Sequence, residues 1–292
     1  MEMLEEQRHK PKIAPKRIKL QEIIAKGEED RISTLTDCLL LEILSRLPST
    51  RYAIRTGTLS KRWKHLWKSI PTLIFKHSDI PLNQCRQNPN SRSDFVSLVD
   101  KTLSQCCQLK LKKFVVCTSY DTQFGLQVQN WLHYAITCDV EELKLKFWYR
   151  GLEAVFLLDQ SFFFNSYFTD LALEGCKLNP TRAISWKNLR NLCISYGKLD
   201  EVLIENILSG SPLLETLVLK YCYGYRRLDI TSKSVKNLVF FGYTDIFDVF
   251  DDVDIIEINV CRSESGCECE SESESESESE SESESESDTD GN

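Results

Sequence analysis

A short apolar pattern recurs between residues 111 and 258 and strongly limits the folds that the chain can adopt. Its template is an apolar residue, two arbitrary residues, a second apolar residue, one arbitrary residue and a third apolar residue. The matches are Leu111-Phe114-Val116, Val140-Leu143-Leu145, Phe168-Leu171-Leu173, Leu189-Leu192-Ile194, Leu214-Leu217-Leu219, Val235-Leu238-Phe240 and Val253-Ile256-Ile258. Successive matches begin 29, 28, 21, 25, 21 and 18 residues apart. One match would mean little, but seven in order predict stacked repeats that each contribute one strand.

The spacing of these strands is typical of leucine-rich repeats, which are about 20–29 residues long. Two of the intervals carry helical periodicity, over residues 124–136 and 199–208. Gly210 follows the second interval at the position where a helix favours a left-handed residue, and Pro212 prevents continuation of the helix. The predicted fold class is therefore α/β, with a leucine-rich-repeat solenoid in horseshoe form over residues 109–260.

A small helical unit precedes the repeats. The residues Leu39, Leu40, Ile43, Leu44 and Leu47 fall on one face of a helix. Thr36 is placed to cap this helix, and the helix should end before Pro48. Leu59, Trp63, Leu66 and Trp67 mark a second helical face. About 45 residues supply little material for an independent core, so this unit should complete its burial against another surface.

Charge is distributed unevenly along the chain. The formal net charge is -8, yet the 13 acidic residues from Ser263 onward are accompanied by no basic ones, which leaves 36 basic against 31 acidic residues before them. Residues 1–29 read as a disordered basic leader, and residues 261–292 as a disordered acidic tail of Ser-Glu repeats. Residues 76–108 read as a linker followed by a helix that Ser91 or Ser93 would cap.

The composition points away from metal and catalytic chemistry. The twelve cysteines include no C-x-x-C pair, and the four histidines lie far apart, so most cysteines are interpreted as small buried apolar residues of a reducing compartment. We find no phosphate-binding glycine loop, no H-E-x-x-H motif and no nucleophile elbow. No apolar run approaches the length of about 20 residues that spans a bilayer. We therefore expect no cofactor, no metal, no membrane association and a location in the nucleus, the cytoplasm or both.

The N-terminal motifs resemble a known family. The stretch from Asp30 to Pro48, followed by Leu59-Ser60-Lys61-Arg62-Trp63 with Leu66-Trp67, looks like the F-box of plant F-box/leucine-rich-repeat proteins of the FBD type. The segment Ile207-Leu208-Ser209-Gly210-Ser211-Pro212-Leu213-Leu214 resembles the repeats of that family. The family usually has proline where Thr36 stands, and many relatives continue into further repeats and an FBD domain where this chain has its Ser-Glu tail.

The resemblance implies a non-catalytic receptor subunit of an SCF-type (Skp-cullin-F-box) ubiquitin ligase. An F-box over residues 30–75 would dock a Skp-type adaptor and through it a cullin/RING complex, while the repeats would hold a protein target for ubiquitination. The residues expected at the adaptor are Ile32, Leu35, Thr36, Leu39, Leu40, Ile43, Leu44, Leu47, Pro48, Leu59 and Trp63. We expect Trp63 to lie mostly in the core of the unit. Six other residues should serve both the core and the interface, namely Leu35, Leu39, Leu40, Ile43, Leu44 and Leu47.

The target should bind the concave face of the solenoid, where the strand residues that alternate with the buried ones point. These residues are Lys144, Lys146, Asp170, Glu174, Asn191, Ser195, Thr216, Lys220, Asn237, Glu257 and Asn259. For any single one of them, the alternative is an ordinary solvated strand residue.

Two other function classes stay open. The helical unit could simply cap the end of a repeat scaffold that takes no part in ubiquitination, because terminal repeats need capping. The basic leader and acidic tail could instead indicate a histone- or nucleic-acid-associated protein. The near-neutral repeats argue against this second class, which would require binding to nucleic acid that weakens steeply with salt.

Overall fold

The structure, a computed structural model, describes residues 32, 34–79, 91–106, 110–149, 155–230 and 232–242, and the backbone of 257–260. The leader and the acidic tail, both predicted to be disordered, lie outside the described residues. So do most of the loop residues predicted after residue 76.

Short helices form the N-terminal part of the described chain. They are α1 (Asp37–Ser45), α2 (Thr50–Thr56), α3 (Trp63–Leu66) and a 3-10 turn over Trp67–Ser69. Helix α1 begins after Thr36 as predicted, but the Thr36 hydroxyl lies 3.0 Å from the Cys38 sulfur and caps no backbone amide. Pro48 lies beyond the end of α1, in keeping with the exclusion of helical backbone just before a proline.

A seven-stranded parallel sheet forms the centre of the fold and confirms the predicted α/β class. Its strands lie in the order β1-β2-β3-β5-β7-β8-β10. Their bounds are β1 (Thr72–Lys76), β2 (Lys113–Ser119), β3 (Glu142–Trp148), β5 (Asp170–Glu174), β7 (Asn191–Ser195), β8 (Thr216–Lys220) and β10 (Asn237–Phe241). The parallel register is continuous, so the template residues of each repeat fall side by side and bury one face of the sheet.

Strand β1 links the N-terminal helices to this sheet. The sequence prediction did not anticipate it, because its residues fall in the range assigned to the helical unit and the following loop. Its Ile74 amide donates to the Thr50 hydroxyl of α2 at 2.7 Å, so the outer edge of the sheet is covered by helix rather than left open. The same continuous core contains Leu40 and Trp63 from the helices and Leu73 from β1.

Three helices and two short strands contribute side chains to the same buried core. The helices are α4 (Ser91–Leu103), α5 (Gly125–Thr137) and α6 (Glu201–Gly210). Single 3-10 turns occupy His77–Asp79, Thr122–Phe124 and Gln160–Phe164. The short strands β4 (Phe156–Leu157) and β6 (Cys176–Lys177) pair with each other. Among the described helices, none is long and apolar enough to cross a membrane.

The last repeat strand departs from the prediction. Strand β11 (Glu257–Val260) does not extend the main sheet beyond β10, but pairs in parallel with β9 (Arg227–Ile230) in a separate two-stranded sheet. In this pair Glu257 of β11 lies opposite Arg227 of β9, and Asn259 lies opposite Asp229. Glu257 and Asn259 therefore do not share the open face of the main sheet, as the sequence pattern had predicted.

Gly210 is needed for close packing and not for a left-handed turn. It is the last residue of α6, it lacks a positive φ, and Ser211 follows it as the C-cap residue. A Cβ atom at this position would fall against the carbonyl oxygen of Ile184. The Gly210 carbonyl also accepts a hydrogen bond from the Trp186 amide at 2.9 Å. The end of α6 at this point is correctly predicted, but the reason for glycine here is the close approach of the Ile184 backbone and not a left-handed conformation.

Replacing Gly210 by alanine should lower the free energy of unfolding by about 1–3 kcal/mol, because the added methyl group must displace backbone. Equilibrium denaturation followed by circular dichroism measures this. The matched control is Ser209→Ala on the neighbouring exposed residue, for which a change within about 0.5 kcal/mol is expected. An equal effect of the two substitutions would contradict the packing argument.

Candidate functional site

Helix α1 presents two apolar faces instead of one. Leu40 and Leu44 are buried in the core, at 0% and 2% exposure, whereas Leu39 and Ile43 are 51% and 45% exposed. Since Leu39 and Ile43 lie four residues apart, they form a strip along the outer side of the helix. Ile32, just before the helix, is also largely exposed. Clusters of exposed large apolar residues on one short helix are typical of an interaction surface.

The side chain of Arg62 holds the start of α1 in place. Its Nε donates to the Asp37 carboxylate at 2.8 Å, and its Nη2 donates to the Leu35 carbonyl at 2.5 Å. Residue 62 lies between the exposed Leu59 and the buried Trp63. Arg62 therefore orients α1 relative to the segment 59–67. The sequence analysis named Arg62 only as part of the F-box-like motif and assigned it no contact, although an arginine can donate several hydrogen bonds at once from its planar guanidinium group.

The residues predicted to contact an adaptor separate into three groups. The exposed ones are Ile32, Thr36, Leu39, Ile43, Pro48 and Leu59. Leu35 and Leu47 are half-buried and pack against the core. Leu40, Leu44 and Trp63 are buried and cannot touch a partner while the helices keep this arrangement; they support the exposed strip from below. Tyr52 on α2 is an exposed aromatic residue that the prediction did not include.

The open face of the main sheet carries three rows of side chains that run across the strands. The first row includes Glu142, Asp170, Asn191, Thr216 and Asn237; the second includes Lys144, Ala172, Cys193, Val218 and Val239; the third includes Lys146, Glu174, Ser195, Lys220 and Phe241. Nine of the eleven residues predicted to meet a target lie in these rows. Ser195 is buried among its neighbours, which removes it from direct contact with a partner of any size.

Several charges on this face neutralise one another. Lys113 forms an ion pair with Glu142 at 2.6 Å, and Lys146 one with Glu174 at 2.7 Å. Asn191 donates to Asp170 at 2.7 Å. Lys144 is exposed on the central row between these groups. These half-exposed pairs contribute little to stability, about 0–1 kcal/mol each, but they set the pattern of charge that a partner meets.

A cavity of about 290 Å³ opens at the carboxyl ends of the strands on the same face. Its lining includes Lys144, Lys146, Glu174 and Lys220, together with the aromatic residues Tyr196 and Tyr221. The two tyrosine rings stack, with centroids 5.2 Å apart and planes 18° from parallel. The sequence interpretation missed both tyrosines, although each directly follows the strand of its repeat, at Ser195-Tyr196 and Lys220-Tyr221.

Thiol and phenol groups near the sheet are held in their neutral forms. Burial raises the pKa of Cys117 on β2, against the opposing effect of Lys144, and burial likewise raises the pKa of Cys176. Burial also raises the pKa of Tyr225 to about 12. These groups are therefore poor nucleophiles near neutral pH. Within the described residues, no group of three or more histidine, cysteine, aspartate or glutamate side chains is placed to hold a metal ion.

Comparison with known proteins identifies the family. A family model described as "FBD-associated F-box protein At5g56370, LRR repeats" matches residues 128–259. The F-box/LRR-repeat protein 25 of Arabidopsis thaliana is 32% identical over 213 residues, which cover 73% of this chain and 76% of that protein. The chain belongs to the F-box/LRR-repeat family. This membership accounts for both the N-terminal motif and the repeated strands.

Other relatives come from the same plant but are longer. The F-box protein At5g03100 of Arabidopsis thaliana is 35% identical over 221 residues, covering 75% of the chain and 65% of that protein. The putative F-box/LRR-repeat protein At5g02930 is 33% identical over 208 residues, covering 71% of the chain but 40% of that relative. The chain thus spans between two fifths and three quarters of the length of these three F-box/LRR-repeat proteins. No solved structure shows significant similarity to it.

Proposed function

We propose that this F-box/LRR-repeat chain is a substrate-recognition subunit of an SCF-type ubiquitin ligase. In this proposal the helices before β1 form the F-box and bind a Skp-type adaptor, which connects them to a cullin/RING complex. The repeat sheet is the inner surface of a solenoid that binds a protein target. The observation that supports the proposal most is the exposed strip of Leu39 and Ile43, backed by buried Leu40 and Leu44.

The contribution of such a subunit is positional. A receptor that binds both adaptor and target raises the effective concentration of a target lysine near the ubiquitin-conjugating enzyme. The chain itself then needs no catalytic residues, and the neutral thiols around the sheet agree with this role. The proposal also implies a location in the nucleus, the cytoplasm or both, where the ligase and its targets would meet.

Adaptor binding by this strip can be tested by replacing Leu39 and Ile43 together by aspartate. Burying two large apolar side chains contributes about 1.5–3 kcal/mol each, so the double variant should bind a plant Skp-type adaptor at least about 100-fold more weakly. Isothermal titration calorimetry with purified adaptor measures this. Circular dichroism should show an unchanged helix content, since both side chains already face solvent.

The control is a double variant of equal chemistry on other helices. Leu126 on α5 and Val202 on α6 are 80% and 75% exposed, so Leu126→Asp with Val202→Asp should leave adaptor affinity unchanged. Adaptor binding that persists in the folded Leu39→Asp, Ile43→Asp variant would place the contact elsewhere. Absence of binding by the unaltered chain would favour the second candidate, a repeat scaffold in which the helices only cover the edge of β1.

A further inference from the structure

Two tyrosines on the repeat sheet adopt a backbone conformation that side chains rarely accept. Tyr196 has a φ of 55° and Tyr221 a φ of 51°, both in the left-handed region. In each case the amide donates to the next strand, from Tyr196 to the Lys220 carbonyl at 2.9 Å and from Tyr221 to the Phe241 carbonyl at 2.7 Å. The equivalent position in the preceding repeat is Gly175, whose φ is 67° and whose amide donates to the Ser195 carbonyl.

This conformation brings the tyrosine rings to the open face. Strict alternation along β7 and β8 would place residues 196 and 221 on the same side as the buried Ile194 and Leu219. Instead Tyr196 is 51% exposed, and both rings line the cavity that also contains Lys144 and Lys220. Left-handed backbone in a bulky residue is strained, and such strain concentrates at functional sites. A stacked, solvent-facing pair of rings is also a surface of the kind enriched at protein interfaces.

The charge around the ring pair is predominantly positive. The cavity lining contains three lysines, Lys144, Lys146 and Lys220, and one carboxylate, Glu174. Because Glu174 already pairs with Lys146 at 2.7 Å, the other two lysines give the cavity a net positive charge. Lys220 also lies over the ring of Phe241 at 5.3 Å, and Lys146 over Trp148 at 5.4 Å, so aromatic rings continue on both sides of the tyrosine pair.

We propose that the cavity beside Tyr196 and Tyr221 binds a target segment in which acidic residues flank an aromatic residue. Lys144 and Lys220 would take the carboxylates, and the tyrosine pair would stack with the aromatic ring. This proposal rests on the proposed function, of which it names the target chemistry. The positive charge of the lysines favours a partner with carboxylate groups. The exposed tyrosine rings favour a partner that also has an aromatic side chain.

Two other anionic partners fit the same cavity less well. A nucleic acid strand would have to extend its phosphates across the sheet, where Glu142, Asp170 and Glu174 interrupt any continuous positive track. The chain's own Ser-Glu segment, residues 271–286, is acidic but contains no aromatic residue to use the tyrosine pair. Both are outcomes that the experiment distinguishes.

The test is fluorescence anisotropy with the full chain and no adaptor, at low and physiological salt. The probe is an extended peptide in which one phenylalanine is flanked by two glutamates; comparison probes are its glutamine counterpart, a peptide copying residues 271–286, and single-stranded oligothymidylate. We expect the glutamate–phenylalanine peptide to bind at least 10-fold more tightly than each comparison probe. Tighter binding of the oligonucleotide or of the Ser-Glu peptide would overturn the proposal.

Two sets of variants locate the binding. Lys144→Glu with Lys220→Glu reverses the charge of the two lysines that form no ion pair with Glu174, keeps the Lys146–Glu174 pair, and should weaken peptide binding at least 10-fold. Tyr196→Gly with Tyr221→Gly removes the rings at positions where glycine is unstrained, so the fold should be kept. A similar loss of peptide affinity is expected. The control Lys187→Glu, on an exposed lysine outside the strands, should have no effect. Peptide affinity that is unchanged in both double variants would also overturn the proposal.

Adaptor binding by the same variants separates this proposal from the proposed function. The open-face variants should bind a Skp-type adaptor with unaltered affinity, because α1 lies on the helical part of the chain. Loss of peptide binding with retained adaptor binding supports the cavity. If the unaltered chain binds the peptide but not the adaptor, the ligase function is overturned, while peptide binding by the cavity still stands.

Discussion

Replacing Trp186 by alanine is expected to lower the free energy of unfolding by about 3–5 kcal/mol, an effect typical of truncating a fully buried aromatic residue. Trp186 is completely buried, packs edge-on to Phe162 and lies stacked over Phe163. Its indole Nε1 donates to the Phe162 carbonyl at 3.0 Å. Alanine would therefore leave both a cavity and a buried carbonyl without its donor.

The position of Trp186 in the fold explains why this effect should be so large. Between β3 and β7 the described chain contains a 3-10 turn but no α-helix, and Phe162, Phe163, Phe168 and Trp186 form an aromatic cluster in this part of the core. The Trp186 amide also donates to Gly210 at the end of α6, which joins this cluster to the next repeat. Loss of the ring should loosen two neighbouring repeats together.

A tryptophan on the surface of the same sheet provides the control. Trp148 is 44% exposed and contacts Lys146 over its ring, so Trp148→Ala should cost less than about 1 kcal/mol. Urea denaturation followed by far-ultraviolet circular dichroism compares the two variants without relying on tryptophan fluorescence. Similar midpoints for Trp186→Ala and Trp148→Ala would contradict the described core.

The sequence predicted the main sheet well because its strands obey a local rule. Each strand packs two apolar residues against the core at alternate positions, although those of β10 are only partly buried, and a third apolar residue precedes the strand, so the template marks β2, β3, β5, β7, β8 and β10. The same template also fits Ile70, just before β1, with Leu73 and Phe75 in β1. That match was missed because it precedes the next one by more than 40 residues, farther than any repeat spacing, with α4 in between.

The features that the sequence did not reveal depend on contacts between distant residues. The step of 18 residues before Val253 was the shortest in the series, and the strand that follows it pairs with β9 instead of β10. The left-handed backbone of Tyr196 and Tyr221 depends on carbonyls of the neighbouring strands. Periodicity alone contains neither kind of information, so it indicated the open face but not the cavity at its edge.

Helix α1 shows the same limit at the scale of single residues. Leu39 and Leu40 are adjacent, and both lie on the apolar side of the helix by sequence. Only packing against α3 and the 3-10 turn decides that Leu40 is buried and Leu39 is not. A charge at residue 40 should therefore reduce stability, whereas a charge at residue 39 should reduce adaptor binding and leave stability nearly unchanged.

Leu40→Asp should destabilise the N-terminal helices by several kcal/mol, since a carboxylate would be buried without a partner in the core. Leu39→Asp should cost less than about 1 kcal/mol of stability and act on adaptor binding alone. Hydrogen exchange of amides in α1 and α2 measures both effects locally. Equal loss of protection in the two variants would show that α1 does not divide into a buried and an exposed side.

The destabilisation by Leu40→Asp should also depend on pH in a defined direction. A buried carboxyl without a partner has a folded-state pKa above its unfolded value of about 3.9, so the folded state holds the proton more tightly. The deficit should therefore be smallest near pH 4 and grow as the pH rises to 7, where the unfolded chain ionises freely. Leu40→Asn, which is polar but cannot ionise, should show a deficit with little pH dependence relative to the unaltered chain. If the aspartate and asparagine variants lose stability in parallel across this pH range, residue 40 is accessible to water, and the exposed strip of α1 is wider than the two residues assigned to it.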